Sequence, residues 1–258
     1  MISNHLWATT IIWLYGICGV FWVIRWWLDK HLLNLVRVIF KRPSTVQSLF
    51  FFLTSPGVVI HELSHWSFAK ILMVRTGKIS FYRPTRDPYR PGWITLGSLT
   101  VYCRDPIRMS LIGLAPLLVG VALLLLLSIL LGLNQTLGSQ MTPDNTLQML
   151  TSLPGLLIAT LNRPINLLWL YLVFVVTSHM FPSMPDRRRW FSGLIVPILF
   201  LLALSLVGNL NLPLFWQHSI LDILLTLTWL FAFAAVFNLF LALCVTCLEI
   251  LFKALLGR

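Results

Sequence analysis

Residues 49–74, LFFFLTSPGVVIHELSHWSFAKILMV, read as one membrane-spanning helix that carries His61-Glu62-Leu63-Ser64-His65 near its middle. Residues four apart on a helix project from one face, so the imidazoles of His61 and His65 can reach a single metal ion while Glu62 stands beside it as a general base. An ionisable group near the centre of a bilayer costs about 2.5–3.5 kcal/mol on insertion scales, and such groups usually face a bundle interior or a wet cavity. Zinc coordination would offset that cost. The competing explanation is a chance match on a helix that keeps its polar residues for packing.

Composition defines the surroundings of that helix. The chain of 258 residues is 58% hydrophobic and 10% charged, with a mean hydropathy of +0.85, which excludes an ordinary soluble domain and predicts an all-α integral membrane protein. The length accommodates about six spans of about 20 residues and leaves little for a soluble domain, so residues 1–258 are expected to form a single multi-pass domain. The net charge of +11 does not imply nucleic acid, because the basic residues lie mainly between apolar runs, as topology signals and contacts for anionic lipid headgroups. The N-terminus has no basic leader region and no small-residue cleavage site, so no signal peptide is expected. Four scattered cysteines make no disulfide framework, and Cys244-Val-Thr-Cys247 lies in an apolar helix without the βαβ context of a redox motif.

Six spans are expected at about 6–28, 49–74, 107–133, 165–181, 191–207 and 220–252. The first ends in Trp22, Arg25, Trp26 and Trp27, an interfacial cluster, and residues 30–42 form a separate amphipathic surface helix. Residues 134–162 are the longest polar stretch, with a short interfacial helix at about 147–161. Between the second and third spans the composition changes to Pro, Gly, aromatic and β-branched residues. Extended pieces at 79–83 and 93–102, joined through Pro84, Asp87, Pro88, Pro91 and Gly92, predict a small membrane-associated β-hairpin whose alternation is imperfect at Gly97.

The second chemical feature is Ser178-His179-Met180-Phe181-Pro182-Ser183-Met184-Pro185-Asp186, directly before Arg187, Arg188 and Arg189. A catalytic zinc needs three protein ligands and an open position, so His61 and His65 require a third donor. Asp186 is the best placed acid, because Pro182 and Pro185 break the helix and let a carboxylate turn inward. Its competing role is an ion pair with the arginines that follow. Asp29, Asp144, Asp222 and Glu249 lie in less suitable positions.

With these two motifs in this order the chain resembles the site-2 protease family of intramembrane zinc metalloproteases. That family has HExxH on one membrane helix and an Asn-x-x-Pro-x-Pro-x-Leu-Asp-Gly-like element on a later one. The resemblance implies that His61, His65 and Asp186 hold Zn2+ and that Glu62 is the catalytic base. His179 stands where the family has Asn, which implies either a hydrogen bond to the oxyanion or a role in orienting or replacing Asp186. Arg187 replaces the family's Gly, and the spacing from Pro182 to Asp186 is shorter by one. The hairpin position and Gly113-Leu-Ala-Pro116, a loose match to a Gly-Pro signature, extend the resemblance over residues 49–190, the expected metalloprotease core.

The implied reaction is hydrolysis of a peptide bond in or near a membrane-spanning segment of a substrate protein, with the lipid bilayer as the other partner and no nucleic acid. Basic residues cluster at 75–108, at 187–189 and at the C-terminal end, which places the active site toward the cytoplasmic side of a cell membrane, most naturally a bacterial one. Arg25, Lys30, Arg37, Lys41 and Arg42 fall on the opposite side if the first two spans are simple antiparallel helices. The alternative function is a catalytically inactive pseudoprotease, or a partner subunit, that binds transmembrane helices. A zinc or proton transporter would want more intramembrane acids. Oligomeric state and substrate identity have no signal in the sequence.

Overall fold

Pro43 fixes the first boundary. The residue before a proline is pushed out of the helical region, and Arg42 is extended at φ −80 and ψ 122 with Pro43 at the first helical position behind it. The structure, a computed structural model, describes residues 4–40, 42–82, 85–86, 94–95, 97–132, 146–181 and 213–256. In chain order the elements are α1 (Asn4–Ile39), α2 (Pro43–Ile71), β1 (Arg75–Ser80), β2 (Thr85–Arg86), β3 (Ile94–Thr95), β4 (Ser98–Tyr102), α3 (Pro106–Leu130), α4 (Thr146–Leu161), α5 (Pro164–His179) and α6 (Leu214–Leu256). The chain is mostly helical, and four of the described helices are long and apolar enough to cross a membrane, within Leu6–Ile39, Ser44–Ile71, Pro106–Leu130 and Phe215–Leu256.

Six spans were expected: of the two not among these four, one is too short and one lies outside the described residues, and the course of α1 also differs from the expectation. The apolar helix at the fourth position, α5, has only 16 residues, short of the roughly 20 that cross the hydrocarbon layer without tilt or thinning. The fifth expected span, 191–207, lies outside the described residues. The expected break between a first span and a surface helix is absent: α1 runs for 36 residues through both. Arg25 does not face outward either. It is 3% exposed, ion-paired with Asp29 one turn on and bonded through Nη1 to Asn238 Oδ1 at 2.8 Å. A guanidinium paired at both Nη atoms stays inside the protein although its Nε is left without a hydrogen-bond partner, and α1 has no reason to end there.

The helices contribute to two compact units, one comprising Met1–His31, Leu124–Phe174 and Leu199–Cys247, the other Leu32–Leu123, Val175–Ile198 and Leu248–Arg258. In the first, Phe21 of α1 meets Phe231 of α6 with ring centroids 6.0 Å apart, and the Arg25 guanidinium lies 5.4 Å from the Phe174 ring of α5. In the second, Leu33 and Val36 of α1 pack with Val46, Phe50 and Val58 of α2.

The hairpin is present. β1 pairs antiparallel with β4 from Arg75↔Tyr102 to Ser80↔Ser98, with a register shift between Thr76 and Ile79, and β2 pairs with β3 beyond it. The first strand begins at Arg75, four residues before the expected Ile79, because α2 stops abruptly. Met73 adopts the left-handed conformation at φ 56, Val74 N–H bonds back to Ala69 C=O at 2.7 Å, and Val74 packs with Ala69 and Ile112. That 6→1 bond with its apolar contact is the Schellman ending of a helix, and it delivers the chain straight into β1.

Candidate metal centre

The site lies within the second unit and is built outward from α2. Gly57, His61 and His65 fall one turn apart on one face of that helix. A Cβ at Gly57 would collide with Val175 C=O and would come within 2.5 Å of His179 Nδ1. Glycine therefore allows the end of α5 to lie directly on α2, the close approach that small residues permit between membrane helices. One turn on, His61 Nδ1 meets the backbone oxygen of His179 at 2.6 Å. His65 Nδ1 meets the backbone oxygen of Ile112, in α3, at 2.7 Å.

Both acceptors are carbonyls that their own helices do not use. His179 is the last residue of α5, where the final carbonyls have no intrahelical donor. Ile112 sits inside α3, but its partner four residues on is Pro116, which has no N–H. A carbonyl can only accept, so each Nδ1 donates, and in the neutral rings each Nε2 carries the lone pair. Those two Nε2 atoms converge to 3.1 Å, with the rings edge to face at 86°.

Two lone pairs facing each other at that distance repel unless a cation or proton lies between them. Two nitrogens each about 2.0–2.1 Å from one tetrahedral zinc ion lie roughly 3.3 Å apart. The donor set fits: neutral imidazoles, tautomers fixed from behind by backbone oxygens, and Nε2 atoms at nearly the separation that shared coordination requires. His65 is 6% exposed and Glu62 7%, and His61 is half-buried beside them.

Glu62 meets the hairpin. A Cβ on Gly97 would fall 2.6 Å from Glu62 Oε1 and 2.8 Å from its Cγ, so only glycine lets the chain entering β4 lie against the carboxylate. The irregularity in the strand alternation at Gly97 is therefore the contact between hairpin and motif. Ser64, the buried residue just before His65, returns its hydroxyl to Ile60 C=O of its own helix at 2.6 Å.

The structure brings together His61, Glu62 and His65, and adds His179 through its backbone. The His179 imidazole turns back along α5, with Nδ1 3.4 Å from Val175 C=O, beside Gly57. Asp186 and residues 182–190 lie outside the described residues. Among the described residues no group of three His, Cys, Asp or Glu side chains could hold a metal ion. Cys244 and Cys247 are free, exposed thiols on α6. Sequence reasoning missed Gly57 and the Ile112 carbonyl, and it named Gly97 and Pro116 without placing them at the histidine pair. Prolines and glycines inside apolar helices were the available signal, since each marks a carbonyl without a donor or a place of close approach. It also passed over Glu249, which is 2% exposed and bonded to Lys253 at 2.5 Å. No family model, characterised protein or solved structure matches the chain.

Proposed function

We propose that this chain is an intramembrane zinc metalloprotease that hydrolyses a peptide bond in or near a membrane-spanning segment of a substrate protein. The observation that carries the reading is the convergence of His61 Nε2 and His65 Nε2 at 3.1 Å, beside a buried glutamate on the next residue of the same helix. His61 and His65 would hold Zn2+ with a third donor, for which Asp186 is the sequence candidate and the His179 imidazole the rival. Bound zinc supplies Lewis acidity and lowers the pKa of water at the site toward about 7. Glu62 accepts the proton of the attacking water on its carboxylate and returns it to the leaving amine.

A helical substrate has its carbonyls in intrahelical bonds and must be drawn out before attack. β4 has one edge on β1, and an extended peptide added along its other edge would pass Glu62 where Gly97 touches it. The basic residues around the hairpin and at 187–189 support a cytoplasmic opening of the site in a cell membrane. The 16 residues of α5, tilted little, and the apolar run at 191–207 would complete six spans.

The test compares membrane-protein fragments in cells carrying wild type and Glu62→Gln, together with metal analysis of both purified proteins. We expect about one zinc per chain in each and fragments only in wild type, with turnover down roughly 100- to 10,000-fold in the variant. Zinc in both with no fragments in either would make the chain a helix-binding pseudoprotease. Absence of zinc from wild type would end the protease reading and leave the helix-binding pseudoprotease. Asp186→Ala should lose most of the metal, and full retention there moves the third-ligand role to His179.

A further inference from the structure

We propose that the corner where α2 passes into β1 and β4 passes into α3 is a docking surface for anionic phospholipid headgroups, with exposed apolar side chains set into the lipid beside them. The register pairs Arg75 with Tyr102, which brings the end of α2, the start of β1, the end of β4 and the start of α3 to one corner of the second unit. Lys70, Arg75, Lys78, Arg104 and Arg108 are all exposed there. Arg108 is paired with Asp105 at 3.4 Å, and the Lys70 ammonium lies 5.8 Å from the Trp66 ring centre. Among the described residues Arg75, Lys78 and Arg104 make no ion pair. Three uncompensated cations within a few residues of one ladder end form a surface that attracts phosphate.

The apolar side chains on the same corner distinguish a lipid surface from a soluble polyanion. Met73 is 90% exposed, Ile71 and Ile107 are each 71% exposed, and Tyr102 is 62% exposed. Met73 occupies the left-handed position of the helix ending, at φ 56, where glycine would be accommodated without strain. A flexible thioether held there, pointing away from the protein, suits insertion at the boundary between headgroups and acyl chains, with aromatic and cationic neighbours at the depth such residues favour. A nucleic acid would use the cations and leave Ile71, Met73 and Ile107 in water. This surface does not depend on the metal or on proteolysis. It would nevertheless bear on the same hairpin that touches Glu62, and so hold that strand at a set depth.

The experiment places a polarity-sensitive dye on Met73→Cys, with Cys18, Cys103, Cys244 and Cys247 replaced, in full-length protein reconstituted into nanodiscs. The discs contain phosphatidylcholine alone or phosphatidylcholine with phosphatidylglycerol. We expect the dye emission to move to the blue only with phosphatidylglycerol, and the shift to shrink at about 1 M salt. The combined variant Arg75→Gln, Lys78→Gln, Arg104→Gln should lower the preference for phosphatidylglycerol, read by native mass spectrometry of retained lipid, roughly tenfold or more. Arg75→Lys, Lys78→Arg, Arg104→Lys should keep it, which separates charge from folding. Equal emission in the two lipids overturns the proposal, as does a shift that survives the loss of all three cations. A blue shift produced by a short single-stranded oligonucleotide in phosphatidylcholine discs would assign the surface to a soluble polyanion instead, and overturn it too.

Discussion

Two clusters of polar side chains among the described residues, one around Arg25 and one around His61 and His65, are closed in opposite ways. In the first unit Arg25 is met from the side by other side chains: Asp29 as an ion pair, Asn238 through a hydrogen bond and the Phe174 ring as a cation–π contact. In the second unit His61 and His65 are held from behind by backbone oxygens, and their remaining nitrogens point at each other. A cluster whose side chains turn to one another specifies how helices pack, and here it leaves Arg25 Nε as a buried donor without a partner. A cluster anchored to the main chain and converging in front is arranged to receive one. The difference is a matter of which atoms face which, and the two clusters have similar burial.

The comparison breaks most visibly on metal content. His61→Ala and His65→Ala should each lose most of the zinc, whereas Arg25→Met should keep it while losing about 1–3 kcal/mol of stability through the lost charged hydrogen bonds to Asn238 and Asp29. Metal analysis and thermal denaturation of the three purified variants would check this. Changing Arg25→Met together with Asp29→Leu should recover part of that loss, since the carboxylate deprived of its guanidinium is then gone as well. Zinc loss in the Arg25 variant would mean that the first cluster also serves the site.

A smaller effect is expected at Gly97, where the added methyl of Gly97→Ala would lie 2.6 Å from Glu62 Oε1 and must push it aside. Displacement of a catalytic group by about 1 Å costs on the order of 100-fold in rate, so turnover should fall by roughly that factor with zinc content unchanged. Unaltered turnover would show that the carboxylate has room to move and that the hairpin contact is incidental.

The smallest predicted effect is at Pro116. Pro116→Ala restores an N–H four residues after Ile112, which then competes with His65 Nδ1–H for the same carbonyl. Loss of a group that orients a ligating histidine lowers metal affinity about 10- to 100-fold, and competitive titration with a chromophoric chelator should show a decrease toward the lower end of that range. Nitrogen-15 NMR of the metal-free protein reads the tautomer directly. We expect a single Nδ1–H form of His65 in wild type and a mixture in the variant.

The positions of these residues explain what could be read from letters alone. The motif on α2, the hairpin and the short helix α4 were legible, because apolar runs, Pro-Gly punctuation and HExxH each follow from side-chain identity. The uninterrupted course of α1 was not, since whether Arg25 marks an interface or a buried pair depends on Asn238, more than 200 positions away. Tautomer control was invisible for a different reason: its acceptors are main-chain oxygens, which every residue has. Two prolines illustrate the limit. Pro56 deprives Phe52 of its donor, and Ser55 Oγ approaches that carbonyl from within the same helix at 3.3 Å. Pro116 deprives Ile112 in the same way, and a histidine from another helix uses the vacancy. Sequence shows both gaps and cannot show which one is filled from outside. The Asp186 turn and the 191–207 run lie outside the described residues.

Pro116 also sets folding and chemistry against each other. A proline inside a helix is about 3 kcal/mol less favourable than alanine, so a library scored by cellular abundance would rank Pro116→Ala as neutral or improved. The same library scored by the proposed zinc-dependent activity would rank it as damaged. Stabilisation of this protein by consensus or helix-propensity rules would therefore remove, early and without warning, one of the atoms' arrangements on which its histidine pair depends. Position 116 is where a survey of the two scores should diverge in sign.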